Sequence, residues 1–294
     1  MDLDELVTES QSADDRELDL RTTSELVALV NRHDAGVPGA VAAAAEAVAQ
    51  VVDAVVDRLR QGGRLVYVGA GSSGRQAAAD AAECEATFST APGQVVAVFA
   101  GEEEAAEDDA EAGEGTLREL GVAAADAVIG VSASGRTPYV IAALETAAAA
   151  GAFTACVVST PGSALARIAD REIAAVVGPE VIAGSTRMKA GTAQKLVLNT
   201  ISTVSMIRLG KVFDNLMVDV SASNEKLRDR ARRIVQTVAG VGPDEAEAAL
   251  AAAAGSAKVA IVSLSTGLDA EAARAQLAAS GDDLRTALGD WRRA

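Results

Sequence analysis

Two stretches decide how this chain folds: Val68-Gly69-Ala70-Gly71-Ser72-Ser73-Gly74-Arg75 and Val131-Ser132-Ala133-Ser134-Gly135-Arg136-Thr137-Pro138. Each follows a short apolar run rich in β-formers and leads into residues at helical spacing, so each marks a strand-to-helix junction. Outward from them, apolar runs recur at 65–68, 95–100, 127–131, 155–158 and 173–177. They do not alternate with polar residues, as expected of strands covered on both faces. Helical patterns at 75–82, 103–120 and 138–150 separate them. That alternation predicts an α/β fold: one five-stranded parallel sheet with right-handed crossovers and helices on both faces. Helical patterns at 24–31 and 37–60 precede the first strand, and a long amphipathic one covers 191–209. Beyond about residue 223 the periods are mainly helical, with short helices at 244–254, 258–265, 269–279 and 282–288, and no strand is expected there. The chain divides on this reading into an N-terminal helical segment, 1–50, a central α/β domain, 51–222, and a C-terminal helical domain, 223–294.

In open parallel sheets, ligands sit beyond the carboxyl ends of the strands, where both stretches fall. The first satisfies GxGxxG, but the acid that binds a ribose about 20 residues further on is missing from 89–95. The lysine of a P-loop is missing too. What remains is a phosphate cradle without a metal requirement: Gly71 and Gly74 admit close backbone approach, Ser72 and Ser73 donate, Arg75 adds charge, and the helix start favours an anion. The second repeats the Ser-Gly-Arg core and offers Ser132, Ser134, Gly135, Arg136 and Thr137, with Pro138 at a helix start. For either stretch alone, ordinary capping by Ser and Gly explains the composition equally well.

The charge balance is 26 Lys+Arg against 42 Asp+Glu, a net −16, which removes the basic field that nucleic acid or an anionic membrane requires. A small anion remains compatible, because a few N–H groups and one or two cations hold it locally. Aromatic residues are 2% of the chain, so sugar recognition rests on hydrogen bonds rather than stacking. Cys84 and Cys156 form no metal-ligand spacing and no disulfide framework, and the acidic start MDLDELVTES is unlike a signal peptide. A cytoplasmic protein without metal or cofactor is expected. His33 is the only histidine and is expected on the surface in a polar loop.

The pattern GAGSSGR, then VSASGRTPYV, then GSTRMKAGTAQKLVLN from Gly184, then GKVFDNLMVDV from Gly210, resembles the N-acetylmuramic acid 6-phosphate etherases, together with the start Leu6-Val7-Thr8-Glu9. The resemblance fades over the last fifty or so residues. These etherases carry a sugar isomerase (SIS) domain, and the third motif is shared with the glucokinase regulatory protein. The resemblance implies an SIS-type αβα sandwich with N-terminal helices and a small C-terminal helical bundle, working as a homodimer on a small sugar phosphate. It further implies a cofactor-independent lyase that removes D-lactate from the C3 ether, giving N-acetylglucosamine 6-phosphate during recycling of cell-wall fragments.

An ether oxygen leaves readily only if a base takes the C2 proton and an acid protonates the departing oxygen. By residue-wise match to the family, Glu83 is that acid and Glu107 that base. The match is imperfect: Glu85 and Ala86 replace the usual prolines, and Ala105 replaces a glycine. Spacing alone does not choose Glu107 over Glu111 or Glu114, since the acidic run also reads as a solvated helix face. In the third motif Ser185, Arg187 and Lys189 either bind the phosphate or the lactyl carboxylate, or serve local structure, for instance by pairing with Glu180. A sugar-phosphate sensor and an aldose-ketose isomerase would share the cradle; the isomerase needs no acid for lactate.

Overall fold

The computed structural model describes residues 7–12, 15–101, 103–219 and 225–289. They form two compact units, Met1–Ala82 with Pro92–Thr203, and Glu83–Ala91 with Val204–Ala294.

In the first unit, α1 (Thr23–Asp34), α2 (Val37–Ala43) and α3 (Ala45–Arg60) precede the sheet. The Thr22 hydroxyl accepts the Glu25 N–H and the Glu25 carboxylate accepts the Thr22 N–H, a capping box that starts α1. His33 lies in this helix rather than in a loop, and its Nε2 stands 2.9 Å from Asp15. Then follow β1 (Leu65–Gly69), α4 (Gly71–Phe88), β2 (Val95–Phe99), a 3₁₀ turn (Glu104–Asp108), α5 (Ala110–Glu119), β3 (Ala127–Val131), α6 (Pro138–Ala149), β4 (Phe153–Val158), β5 (Arg171–Ala174) and α7 (Lys189–Arg208). The five strands pair in parallel in the order β2-β1-β3-β4-β5. This is the α/β sheet that the apolar runs predict, with the last two strands starting two residues earlier than expected.

Every residue of β1 and β3 is buried, whereas the edge strand β2 is half-buried throughout. One face of the sheet packs Val66, Val68, Val128 and Val158 against Leu117 of α5 and Tyr139, Val140 and Leu144 of α6. On α3, Val48, Val51, Val52, Val55, Val56 and Leu59 form a buried stripe at helical spacing, and this helix packs on β1, β3, β4 and β5. Cys156 sits in the centre of β4, where burial, reinforced by the Glu172 charge, pushes its thiol up to about 12 and keeps it an inert core residue.

The second unit holds a two-stranded antiparallel hairpin, β6 (Val212–Phe213) and β7 (Leu216–Met217), then α8 (Glu225–Ala239), α9 (Pro243–Ala252), α10 (Ala257–Thr266), α11 (Ala270–Ala279) and α12 (Leu284–Leu288). The helical periods anticipated this bundle. The hairpin was not anticipated, because each of its strands is only two residues long. Phe213 and Val218 join Val235, Val238, Ala260, Ile261 and Leu277 in the core of this unit. The fully buried Lys258 donates to Asp219 and Asp282 at 2.8 Å each, and Asp219 also pairs with Lys211 at 3.0 Å. Lys211 and Asp219 both come from the fourth sequence motif and are consumed in this ion network. Among the described residues no single helix is long and apolar enough to cross a membrane.

Candidate functional site

β1 and β3 are adjacent strands whose crossovers depart in opposite directions, which makes the pair the switch point of the sheet. Gly69 and Val131 stand in register at their carboxyl ends, so the two glycine-serine stretches begin side by side.

The first stretch is less of a loop than its sequence suggests. A helix expected from Arg75 starts at Gly71 instead, so Gly71-Ser72-Ser73-Gly74 is the first turn of α4. Its first intrahelical bond runs from the Gly74 N–H to the Ala70 carbonyl at 3.0 Å. The N–H groups before it are those that a helix start leaves for an anion. Glycine is required here by packing: a Cβ on Gly74 would stand 2.6 Å from Cβ of Phe99 on β2, and one on Gly69 would stand 2.7 Å from the Gly74 nitrogen. The helix therefore begins hard against the ends of two strands.

In front of this turn lies a cleft of about 320 Å³, lined by Gly71, Ser72, Arg75, Ala100, Gly101, Glu103 and Glu107. Its size falls at the small end of the usual range for ligand pockets. Ser72 and Ser73 are half-buried, and Arg75 and Glu107 are exposed.

The acidic run after β2 is not one helix. Asp109 accepts the Ala112 N–H at 2.9 Å and starts α5 afresh, which leaves Glu107 in the 3₁₀ turn on the cleft wall. Glu111 and Glu114 go instead onto α5, where Glu114 pairs with Arg118. Of the three glutamates that spacing left equivalent, Glu107 is the one that lines the cleft. Glu103 on the same wall was missed, since nothing in an acidic run distinguishes one exposed member from another.

The second stretch is closed on itself. The Ser132 hydroxyl lies 2.9 Å from that of Thr137 and accepts the Gly135 N–H at 3.1 Å, and the Ser134 hydroxyl accepts the Arg136 N–H at 3.3 Å. Gly135 has φ +63°, and a Cβ there would meet the Ser163 hydroxyl at 2.1 Å. Ser132 is buried, Ser134 and Thr137 are half-buried, and Arg136 is exposed. None of these five lines the cleft in front of α4.

Nor do the candidates of the third motif. Glu180 is buried and its carboxylate accepts the Lys189 N–H at 3.0 Å and the Ala190 N–H at 2.9 Å, filling the anion position at the start of α7. The Lys189 ammonium, also buried, donates to the Val177 carbonyl at 2.8 Å. Of the two readings open for Lys189, this geometry is that of local structure. Ser185 is half-buried and Arg187 exposed. The Gly184 N–H donates to the Thr8 carbonyl at 3.0 Å, so the start motif and the third motif meet although 175 residues lie between them. Glu83 is an exposed residue of α4 that belongs with the second unit, and its neighbour Cys84 is buried and outside any disulfide. Leu6 of the start motif lies outside the described residues. Among the described residues no group of three or more His, Cys, Asp or Glu is arranged to hold a metal ion.

Residues 47–148 match the family described as the glucokinase regulatory protein N-terminal SIS domain. The chain is 56% identical over 298 residues to the N-acetylmuramic acid 6-phosphate etherase of Rubrobacter xylanophilus, covering 99% of this chain and 98% of the relative. It is 51% identical to the etherase of Streptomyces avermitilis, with 98% and 94% covered, and 48% identical to that of Cronobacter sakazakii, with 98% and 99% covered. Among solved structures, a phosphoheptose isomerase from Francisella tularensis matches with a TM-score of 0.50 at 20% identity, over 63% of this chain and 100% of its own, which shows a shared fold.

Proposed function

The chain belongs to the N-acetylmuramic acid 6-phosphate etherases, and from that premise we propose that it cleaves its substrate as a carbon-oxygen lyase, with the first turn of α4 holding the 6-phosphate. The observation that carries this reading is the cleft in which Ser72 and Arg75 share a wall-to-wall space with Glu107. An anion on the helix start and a carboxylate facing it are what the reaction asks of one pocket. Glu107 takes the C2 proton of the open-chain aldehyde. The electron pair forms the C2–C3 double bond as the C3–oxygen bond breaks, and the lactyl oxygen leaves with a proton. Water then adds its oxygen to C3 and a proton returns to C2, giving N-acetylglucosamine 6-phosphate and D-lactate. Glu83 supplies the proton to the lactyl oxygen, a role that rests on its match to the family motif alone.

The second stretch contributes the Ser132 and Thr137 hydroxyls to one flank of the sugar by exchanging their mutual bond for bonds to ligand. Ser185 and Arg187 are assigned to the lactyl carboxylate, and Lys189 to holding the turn that presents them. We place the enzyme in the cytoplasm, where two cysteines outside any disulfide stay reduced, and assign it a homodimer in which the exposed Leu196, Val204 and Ile207 of α7 meet a second copy.

The test is release of D-lactate from N-acetylmuramic acid 6-phosphate by the purified chain, without added metal or nucleotide. Glu107→Gln and Glu83→Gln should each lower the rate by about 10²- to 10⁴-fold, the usual worth of general acid-base catalysis. Stoichiometric sugar-phosphate binding with no lactate released by the wild type would favour a sensor.

A further inference from the structure

The buried face of α4 carries Ala77, Asp80 and Ala81, and Asp80 is only 2% exposed. A buried carboxylate is costly where a third small apolar residue would pack, so its presence asks for a reason. Its two oxygens are held by two different elements. Oδ2 accepts the Tyr67 hydroxyl of β1 at 3.1 Å, and Oδ1 accepts the Ser202 hydroxyl of α7 at 3.1 Å. Ser202 also reaches the Asn199 carbonyl at 3.3 Å, and Tyr67 and Ser202 are themselves buried. Tyr67 lies two residues before Gly69, where β1 ends and the cradle begins. Two hydroxyl donors on separate elements fix both the rotation of α4 about its axis and its position along that axis.

We infer that Asp80 is a positioning residue for phosphate binding: clamped between Tyr67 and Ser202, it sets where the first turn of α4 stands in the cleft. It does not touch ligand, since eight residues and about 12 Å of helix separate it from Ser72. Its charge does not attract the phosphate either, because two anions repel. Electrostatics alone predicts tighter binding once Asp80 is neutralised, whereas a lost clamp predicts weaker binding, and that difference in sign makes the role measurable. The inference rests on the assignment of the 6-phosphate to α4.

The experiment compares the full-length wild type with Asp80→Asn, Tyr67→Phe and Ser202→Ala. It measures kcat and KM for lactate release, the Kd of N-acetylglucosamine 6-phosphate by calorimetry, and thermal unfolding. Asp80→Asn should raise KM and the product Kd together by roughly tenfold with kcat within about twofold, the signature of lost uniform binding after a small misplacement. Tyr67→Phe and Ser202→Ala should each do so by a few-fold, and neither should add to Asp80→Asn. They carry the test alone if Asp80→Asn does not fold. Unchanged KM and Kd with a lowered unfolding temperature, or a tighter Kd in Asp80→Asn, would overturn the inference. A wild type that binds product but releases no lactate would refute the lyase reading while leaving the Kd comparison intact.

Discussion

At the amino ends of β1 and β3 the chain closes with an ion pair; at their carboxyl ends the same two strands open into turns built from glycine, serine and backbone. Arg64, one residue before β1, and Asp126, one residue before β3, form a forked pair, Nε to Oδ1 at 3.1 Å and Nη2 to Oδ2 at 2.7 Å. Asp126 also accepts the backbone N–H groups of Arg64 and Ala123, while Arg64 reaches the carbonyls of Leu120 and Gly121. Every strong group at this end is matched, which yields stability and leaves nothing for a ligand. At the far end of each strand, the first turn of α4 faces a cleft, and the Ser132 hydroxyl is held only by the Thr137 hydroxyl and the Gly135 N–H of its own turn. The contrast shows how one strand pair separates its tasks, with fixed charge at one end and exchangeable hydrogen bonds at the other.

The strongest challenge to that division is Asp126→Ala, which leaves Arg64 facing a gap. It should cost about 1–3 kcal/mol, less than the penalty for a fully buried pair because Arg64 is only half-buried and keeps the Leu120 and Gly121 carbonyls, with KM unchanged in the folded enzyme; urea unfolding and lactate kinetics check both halves. The same pair predicts a pH dependence. Burial pushes the Asp126 carboxyl up, but the Arg64 side chain and the Ala123 and Arg64 N–H groups outweigh it and hold it below the usual carboxylate range. A depressed folded pKa means stability that is present above the unfolded value of about 4 and lost as pH falls through the folded one. The stability gap between wild type and Asp126→Asn should therefore be constant from pH 8 to 5 and shrink below about pH 4.

At the other end, Gly135→Ala forces a side chain into positive φ and onto Ser163, and should cost about 2–3 kcal/mol while also raising KM. That variant tests whether the two ends are separable, since the second turn is both structural and, on our proposal, a ligand contact. The smallest effects come from the hydroxyls. Ser132→Ala should cost about 1 kcal/mol, because it removes the bonds to Thr137 and Gly135. Ser72→Ala should leave unfolding unchanged and raise KM about fivefold, the equivalent of one hydrogen bond to ligand. Equal loss of stability in both serine variants would erase the distinction between a closed turn and an open one.

Much of this was legible before folding. The apolar runs at β1 and β3 needed no alternation to be read, because strands covered on both faces are uniformly apolar. The helical bundle of the second unit followed from period alone. The hairpin at β6 and β7 did not, since two residues carry no period. Helix boundaries also slipped: α4 begins four residues before its expected start because Gly69 and Gly74 let the helix press against β2, a contact between residues 25 apart in sequence.

The sequence by itself determined the sheet, the location of both turns and, through four motifs, the family. These are local or additive signals: burial of strands, turn chemistry and spacing. Only the tertiary structure decided which residues of those motifs line the cleft. It put Glu107 on the cleft wall and Glu111 and Glu114 on α5, because Asp109 restarts the helix. It withdrew Lys189 onto the Val177 carbonyl and spent Glu180 on the start of α7. It also revealed Asp80, an acid hidden among alanines, as the residue that β1 and α7 jointly grip. Each of those outcomes depends on which neighbour satisfies a charge or an N–H group, and neighbours are supplied by packing rather than by order along the chain.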